Sequence, residues 1–356
     1  MKLLLISYNL RRQGGIERLG LDVIEALQLN GHQVVVIYTK NIGAGRSGRL
    51  VGRLLFLVRL AIASRRCDQL FSMHALLLSQ VEWLLPRRLP RLCWLHGVEV
   101  WGKALVPLAP ALKRCRRLFA SSSFTRDRLI HTSCGPWPEI TVLNPVARLW
   151  ENSAIAAHRP AEITKGLRLL TVARMAAEER YKGHDLVLQA LNLLKVDLSK
   201  TSWHWKIVGN GNDRLRLEAL TAKLDLNNNI DFVGALDDNA LRAAYLNCNL
   251  LVMPSSYSVS VDGRASGEGF GITYLEAALA GRASIACCNG GQTDLISDGE
   301  TGWLVEPNAE ALAKVLREVL EHPEQLRHRG NAAIQLAKVN FGFIPFRSAL
   351  ENALYD

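Results

Sequence analysis

The feature that most constrains this chain is a strand–helix alternation that runs through its first half and then begins again in its second. Short apolar runs fall at 2–7, 33–38, 69–73, 92–96, 118–121 and 141–143. Between the first two, Ile16, Leu19, Val23, Ile24 and Leu27 share one helical face, and Gly31 follows where a helix would close. After a polar stretch at 151–165 the pattern restarts, with strands expected at 168–172, 205–208, 230–233, 250–253 and 283–286. Helical stretches at 184–194, 214–224 and 275–280 separate them. Alternation of this kind builds parallel, doubly wound sheets. Two rounds of it predict two Rossmann-like α/β domains facing a central cleft, at 1–160 and 161–339, with a helix at 340–356 returning to the first. In such sheets ligands bind at the carboxyl ends of the strands, where loops meet helix N-termini.

Size and composition agree. A chain of 356 residues fits two domains of ~100–200 residues each. With only 21% charged residues it is globular rather than disordered. The opening run Leu3-Leu4-Leu5-Ile6 turns polar at once, which suits a first buried strand better than a signal peptide. No stretch reaches the ~20 apolar residues of a membrane span; the longest candidate, 54–63, is broken by Arg59. The cysteines at 67, 93, 115, 134, 248, 287 and 288 are odd in number and form no Cys-x-x-Cys pair. Reduced thiols in a cytoplasmic protein are therefore expected.

Charge is uneven. Residues 1–160 carry 23 Lys+Arg against 9 Asp+Glu, and the remainder 20 against 24. A basic first half expects an anionic partner. No motif points to nucleic acid, and none is expected.

Chemistry concentrates at Ser266-Gly267-Glu268-Gly269-Phe270-Gly271, which runs into a helix carrying Glu276. The glycines let backbone N–H groups approach a ligand, and carboxylates accept hydrogen bonds from vicinal hydroxyls, as in sugars and ribose. Isolated glutamates would read as a solvated helix turn; the surrounding glycines and the preceding strand favour a site.

An ordered set of landmarks extends along most of the chain. They are Gly14-Gly15-Ile16-Glu17, Val172-Ala173-Arg174, Tyr181-Lys182-Gly183-His184, Ile207-Val208-Gly209-Asn210-Gly211, Phe232-Val233-Gly234, Met253-Pro254-Ser255, the two glutamates and Gly299-Glu300-Thr301-Gly302-Trp303-Leu304-Val305. Together they resemble the retaining GT-B glycosyltransferases of the family-4 type. The resemblance implies that Arg174 and Lys182 hold the donor diphosphate, where cations offset charge on the leaving group. It implies that Glu276 binds the ribose and Glu268 a donor-sugar hydroxyl, helped by the N–H groups of Gly269, Phe270 and Gly271. Gly14, Gly15 and Gly209 would line the donor path, and His96 would lie beside the donor sugar. Without the family setting, Arg174 and Lys182 would read as surface cations and His96 as a packed polar residue.

Two departures stand out. The insertion 256–265 separates the Pro254-Ser255 landmark from Glu268, and Asp294 stands where the family usually has glutamate. No Asp-x-Asp motif occurs, so neither a metal nor a separate cofactor is expected; the nucleotide-diphosphate sugar is the co-substrate. Retention of configuration is implied by the resemblance alone.

The segment 46–66 is apolar and arginine-rich, like a helix lying at a membrane interface, and 113–117 adds Lys113, Arg114, Arg116 and Arg117. Equally, it reads as a core helix with arginines at its edges. The function expected is hexose transfer from a GDP-mannose- or UDP-glucose-type donor to a glycan or lipid-linked acceptor. The setting would be cell-surface polysaccharide, lipopolysaccharide or glycolipid assembly, at the inner face of the cell membrane. The rivals are a non-catalytic sugar-nucleotide or membrane-binding module, a sugar-nucleotide epimerase of the same shape, and a nicotinamide-dependent oxidoreductase. The last is weak, because Gly209-x-Gly211 lacks the third glycine.

Overall fold

The computed structural model describes residues 1–8, 10, 14–38, 45–132, 135–150, 166–199 and 201–355, with backbone alone at 45–49. Cys134 and the polar stretch 151–165 lie outside the described residues. The chain divides into two compact units. The first comprises 1–146, 259–265 and 343–356, and the second 147–258 and 266–342. The division near 146 precedes the expected 160 because Ala147 and Leu149 pack into the second unit's core.

The first unit holds a parallel sheet of β1 (Lys2–Ser7), β2 (Gln33–Tyr38), β3 (Gln69–Ser72), β4 (Arg91–Leu95), β5 (Arg117–Ala120) and β6 (Glu139–Val142). Their order is β2-β1-β3-β4-β5-β6. All five residues of β4 and all four of β3 and β5 are buried, as central strands covered on both faces must be. Phe71, Trp94 and Phe119 stack across β3, β4 and β5 with centroids 5.1–6.2 Å apart. Helix α1 (Gly15–Leu29) buries Leu19, Val23 and Leu27 on this core, while Ile16 at its start is exposed.

The terminal helix Phe343–Tyr355 belongs to this unit and sinks Phe346, Leu350 and Leu354 into the same core. Polar contacts pin it. Asn30 Nδ2 donates to Glu351 at 2.9 Å, His32 Nε2 meets Glu351 Oε2 at 2.9 Å, and Arg116 donates to the Leu354 carbonyl at 3.1 Å.

The second sheet comprises β7 (Leu167–Val172), β8 (Trp203–Val208), β9 (Ile230–Gly234), β10 (Leu250–Val252), β13 (Ala283–Cys287) and β14 (Gly302–Val305). The intervening β11 (Ser258–Val259) and β12 (Ala265–Ser266) form a separate two-residue ribbon. The sheet order is β14-β13-β10-β7-β8-β9, again parallel throughout. Alternate residues feed opposite faces, as the strand period of two requires. Leu169, Ile207, Leu250, Val252 and Ile285 enter one core cluster; Leu170, Val208, Leu251, Met253 and Ala286 enter another. The edge strand β14 falls on a stretch the strand pattern passes over. Three helices absent from the sequence reading, Asp238–Asn247, Ala309–Glu321 and Glu324–Asn340, complete the unit.

Candidate active site

In the second unit the expected residues gather at the carboxyl ends of the strands. Arg174 follows β7, and its side chain is 75% exposed. One guanidinium nitrogen donates to Glu179 Oε1. Lys182 ends a pair of 3₁₀ turns at Ala177–Lys182 that kinks at Glu179 (φ −117°, ψ 27°). Its ammonium lies 2.5 Å from Glu268 Oε2, with both side chains largely buried, and 5.3 Å from the Tyr181 ring centre. Burial opposes the charge of Lys182. Glu268, Tyr181 and Glu179 more than offset that and hold its pKa above the ordinary value. Glu179 and Glu268 thus each pair with one of the two cations.

The loop with these turns is braced from behind. Asp213 accepts from Arg180 and Arg216, and Arg216 also grips Asp185 at 2.6 and 2.7 Å. The two guanidinium partners hold the Asp213 carboxyl far below the usual range.

Gly271 stands at φ +96°, and a Cβ there would come 2.4 Å from the Tyr274 ring. Only glycine turns the chain this tightly from the Glu268 loop into helix Ile272–Leu279. Gly209 at φ +137° lies so close to the Ala173 carbonyl that a Cβ would meet it at 2.1 Å, and this approach seats the β8 turn against the residue before Arg174. The Phe270 side chain is core, tilted against Phe341 at 5.9 Å. The Phe270 side chain is thus committed to the core of the second unit. Glu276 is buried on the helix; its Oε2 accepts from Tyr245 OH at 2.8 Å, and its carbonyl from Trp150 Nε1 at 3.0 Å.

In the first unit, Gly14 precedes α1 as its N-cap and Gly15 opens it. Glu17 folds back over Gly14, with an oxygen 2.5 Å from where a Cβ would stand. His96 follows β4. Its Nε2 lies 2.6 Å from the Met73 carbonyl, and its backbone N–H donates to Glu99 Oε1 at 2.6 Å. Burial pushes the His96 pKa down to about 4, against the Met73 bond and Glu17.

Comparison with known proteins turns on the second unit. Residues 157–336, half of the chain, match the family model described as glycosyl transferases group 1. The chain belongs to that family. A glycosyltransferase of Haemophilus influenzae is 24% identical over 89% of both chains. The Dictyostelium discoideum α-1,3/1,6-mannosyltransferase ALG2 is 30% identical over 35% of this chain and 27% of its own. The amylovoran glycosyltransferase AmsK of Erwinia amylovora is 24% identical over 56% of this chain. The chain spans only about a quarter to a half of these last two relatives. Among solved structures, a Rickettsia africae glycosyltransferase superposes with a TM-score of 0.77 at 19% identity, covering 100% of this chain and 99% of that one. Anabaena HepE, solved with UDP and glucose, gives 0.74 at 18%, covering 99% of both. At such identity the likeness shows the fold, which is GT-B, with two Rossmann-like parallel-sheet units.

Residues that the sequence reading passed over contact or neighbour the expected ones in this group 1 glycosyl transferase. Glu179 engages Arg174, Tyr245 orients Glu276, and Gln292 ties strand ends together by donating from Nε2 to the carbonyls of Ser255, Cys287 and Asn289 at 2.8–3.0 Å. Gln292 had a signal, since it lies two residues before the noted Asp294 and follows the glycine pair Gly290-Gly291. Within the insertion, residues 259–265 group with the first unit, where Lys103 N–H donates to the Gly263 carbonyl at 2.9 Å.

The cations of the second basic cluster have partners within the fold. Arg117 is buried and bound to Glu139, Arg116 caps the terminal helix, Arg114 pairs with Glu82 at 2.9 Å, and Lys113 lies over the Trp137 ring at 5.7 Å. Only Arg117 is withdrawn from the surface; Lys113, Arg114 and Arg116 stay exposed.

Proposed function

We propose that the chain transfers a hexose from a nucleoside-diphosphate sugar, of the GDP-mannose or UDP-glucose kind, to a glycan or lipid-linked acceptor in cell-surface polysaccharide, lipopolysaccharide or glycolipid assembly. The observation that carries this reading is the convergence of Arg174 and Lys182 at the strand ends, with Lys182 held on Glu268. As the glycosidic bond breaks, the departing diphosphate gains negative charge. Cations fixed beforehand stabilise that state more than the ground state. Arg174 offers its remaining guanidinium donors and Lys182 a point charge. Glu268 would take a sugar hydroxyl, Glu276 the ribose, and the backbone at Gly269–Gly271 the phosphates. The cation pair supplies what a bound metal would, so no metal is required. Retention by a front-face route, with the departing phosphate helping to take the acceptor proton, fits this arrangement; no side chain is assigned as base.

Calorimetry against a panel of nucleotide sugars tests this, with Lys182→Ala and Glu276→Ala beside the wild type. One nucleotide binding selectively, and losing affinity in both variants, supports the reading. Binding of none favours a non-catalytic module. Breakdown or isomerisation of the donor without acceptor favours an epimerase.

A specific observation also favours attachment to an anionic membrane surface. Helix α2 (Gly45–Ala63) buries Phe56 and Leu60 but exposes Leu50, Val51, Leu54, Leu55, Val58 and Ile62. That is a contiguous apolar stripe at helical spacing, flanked by exposed Arg53, Arg59, Arg65 and Arg66. Beside it lies a cavity of about 270 Å³ lined by Val35, Ile37 and Ile62 together with Lys2, Arg59 and Arg66. Apolar walls under cations suit an anionic amphiphile. No helix among the described residues is long and apolar enough to cross a membrane, so the attachment would be peripheral, from the cytoplasmic side. Sedimentation with phosphatidylglycerol vesicles, lost in Leu54→Asp/Val58→Asp and weakened by salt, is the expected result. Failure to sediment at low salt sinks the idea.

A further inference from the structure

Lys182 and Glu268 stand on separate loops, 86 residues apart in the chain, yet their charged ends meet at 2.5 Å. Each loop hangs from a different support. Ser256 N–H, just beyond β10, donates to the Tyr181 carbonyl at 2.9 Å, one residue before Lys182. Gly291 N–H, in the turn after β13, donates to the Glu268 carbonyl at 2.8 Å. The spacing of the ion pair therefore depends on how firmly the turn after β13 is joined to the end of β10.

Gln292 makes that joint. Its side chain is completely buried, and Nε2 lies 3.0 Å from the Ser255 carbonyl, 2.8 Å from that of Cys287 and 2.9 Å from that of Asn289. Carbonyls only accept, so the nitrogen is the end that faces them, and its two hydrogens are shared among three oxygens. Burying an amide without such partners is costly, so these bonds are what keep it there. Ser255 adjoins the residue that holds the Lys182 loop, and Gln292 itself adjoins the residue that holds the Glu268 loop. Asn289 adds a weaker tie between the same two supports, accepting from Tyr257 N–H at 3.2 Å. The glycine pair makes room for this arrangement. A Cβ at 290 would lie 2.4 Å from Gln292 Oε1, and one at 291 would lie 2.1 Å from the Gly269 carbonyl.

We propose that Gln292 is a positioning residue, whose amide locks the turn after β13 to the end of β10 and so holds Lys182 and Glu268 at the spacing of their ion pair. It acts through those two residues rather than on the donor. The proposal rests on the transferase reading for what the pair binds, and not for how the pair is held.

The substitution that tests it is Gln292→Met, which keeps the length of the side chain and removes both N–H donors. Lys182 reports the spacing. Burial opposes its charge, while Glu268, Tyr181 and Glu179 hold its pKa above the ordinary value. Drawing Glu268 away leaves burial less opposed. ¹³C NMR of Lys182 Cε should therefore show its titration midpoint falling below the ordinary ~10.4 in Gln292→Met. Glu268→Gln should lower the midpoint by itself, and adding Gln292→Met to it should move the midpoint little further. A role in general packing alone would not make the two substitutions overlap in this way. Turnover should fall about 10- to 10²-fold, the scale of a small misplacement of a catalytic group. An unmoved Lys182 midpoint in folded Gln292→Met overturns the proposal. Amide hydrogen exchange of the wild type decides the case even if the variant fails to fold. Ser256 and Gly291 N–H should be protected to a similar degree and open together as denaturant is added; independent, loop-like exchange of the two overturns the joint. A fallen midpoint together with intact nucleotide binding in Lys182→Ala would sink the donor-site reading and leave the positioning role standing.

Discussion

The two units share a six-stranded parallel sheet yet arm their strand ends in opposite ways. The second unit sets charge against charge: Arg174 on Glu179, Lys182 on Glu268, Arg216 on Asp185 and Asp213. The first unit places neutral rings there, His74 and His96, with Tyr8 beside them. A sheet topology therefore fixes where a site lies but not its chemistry. Paired charges suit an anion that can replace one partner. Neutral imidazoles, each with one nitrogen tied to backbone, suit hydroxyls. The contrast predicts that substitutions in the second unit act on nucleotide affinity and leaving-group departure, and those in the first on the sugar.

The strongest way to break the contrast is Lys182→Ala. It removes a preorganised cation and leaves the Glu268 carboxylate largely buried without its partner. Turnover should fall about 10²- to 10³-fold, the usual scale for losing one transition-state electrostatic contact. Nucleotide diphosphate affinity should fall with it, as read by calorimetry and product release. Wild-type turnover would mean that the paired charges are scaffolding only.

Next in size is acid sensitivity, which the two units should share. His96 in the first and buried His184 in the second are both held near pKa 4 by burial. Their folded pKa lies below the unfolded value of ~6.5, so the unfolded chain binds protons first as pH falls. Stability is full above about pH 6.5 and is lost progressively towards pH 4. For His184 the loss at pH 5 should be about 2 kcal/mol, and His96, partly exposed, should lose less. Urea midpoints at pH 7.5 and 5.0 measure this. His184→Gln should shrink the difference between them; an unchanged difference would show that this histidine is not its source.

The sheets were legible in the sequence because their strands are short apolar runs separated by helices of the right period. The glutamates at 268 and 276 were legible because glycines crowd around the first. Other parts depend on tertiary partners. Glu178-Glu179-Arg180 has the composition of a solvated turn, and only the kink at Glu179 turns its carboxylate to Arg174. The cluster 113–117 read as a basic face because local sequence does not reveal that Arg117 lies in a buried strand paired with β6 and its Glu139. β14 is four residues inside a glycine-flanked landmark, too short for a period to declare itself. His74 met His96 only when β3 and β4 became neighbours.

Gly209→Ala should have a smaller effect, confined to the second unit. The left-handed φ and the 2.1 Å approach to the Ala173 carbonyl force the backbone on both sides to move. Strain of this kind costs about 1–3 kcal/mol. Because the neighbouring residue is Arg174, nucleotide affinity should fall along with the melting temperature, while the imidazole resonances of His96 stay unchanged. A shift of those resonances as well would blur the division of labour between the units.

The finest test is Tyr245→Phe. It deletes one hydrogen bond to Glu276 Oε2 and keeps the ring that packs edge-on against Trp150 at 6.3 Å. A hydrogen bond to a carboxylate contributes about 1.5–3 kcal/mol net. If the role of Tyr245 is to aim Glu276 at a ribose, nucleotide affinity should fall several-fold, beyond what a modest loss of melting temperature explains. The same variant should lose discrimination between ribose and 2′-deoxyribose nucleotides, because the Glu276 carboxylate is then aimed less firmly at the hydroxyl. If stability falls and that discrimination stays, the Tyr245–Glu276 bond belongs to the core of the second unit, and ribose recognition must be sought in the backbone at Gly269–Gly271.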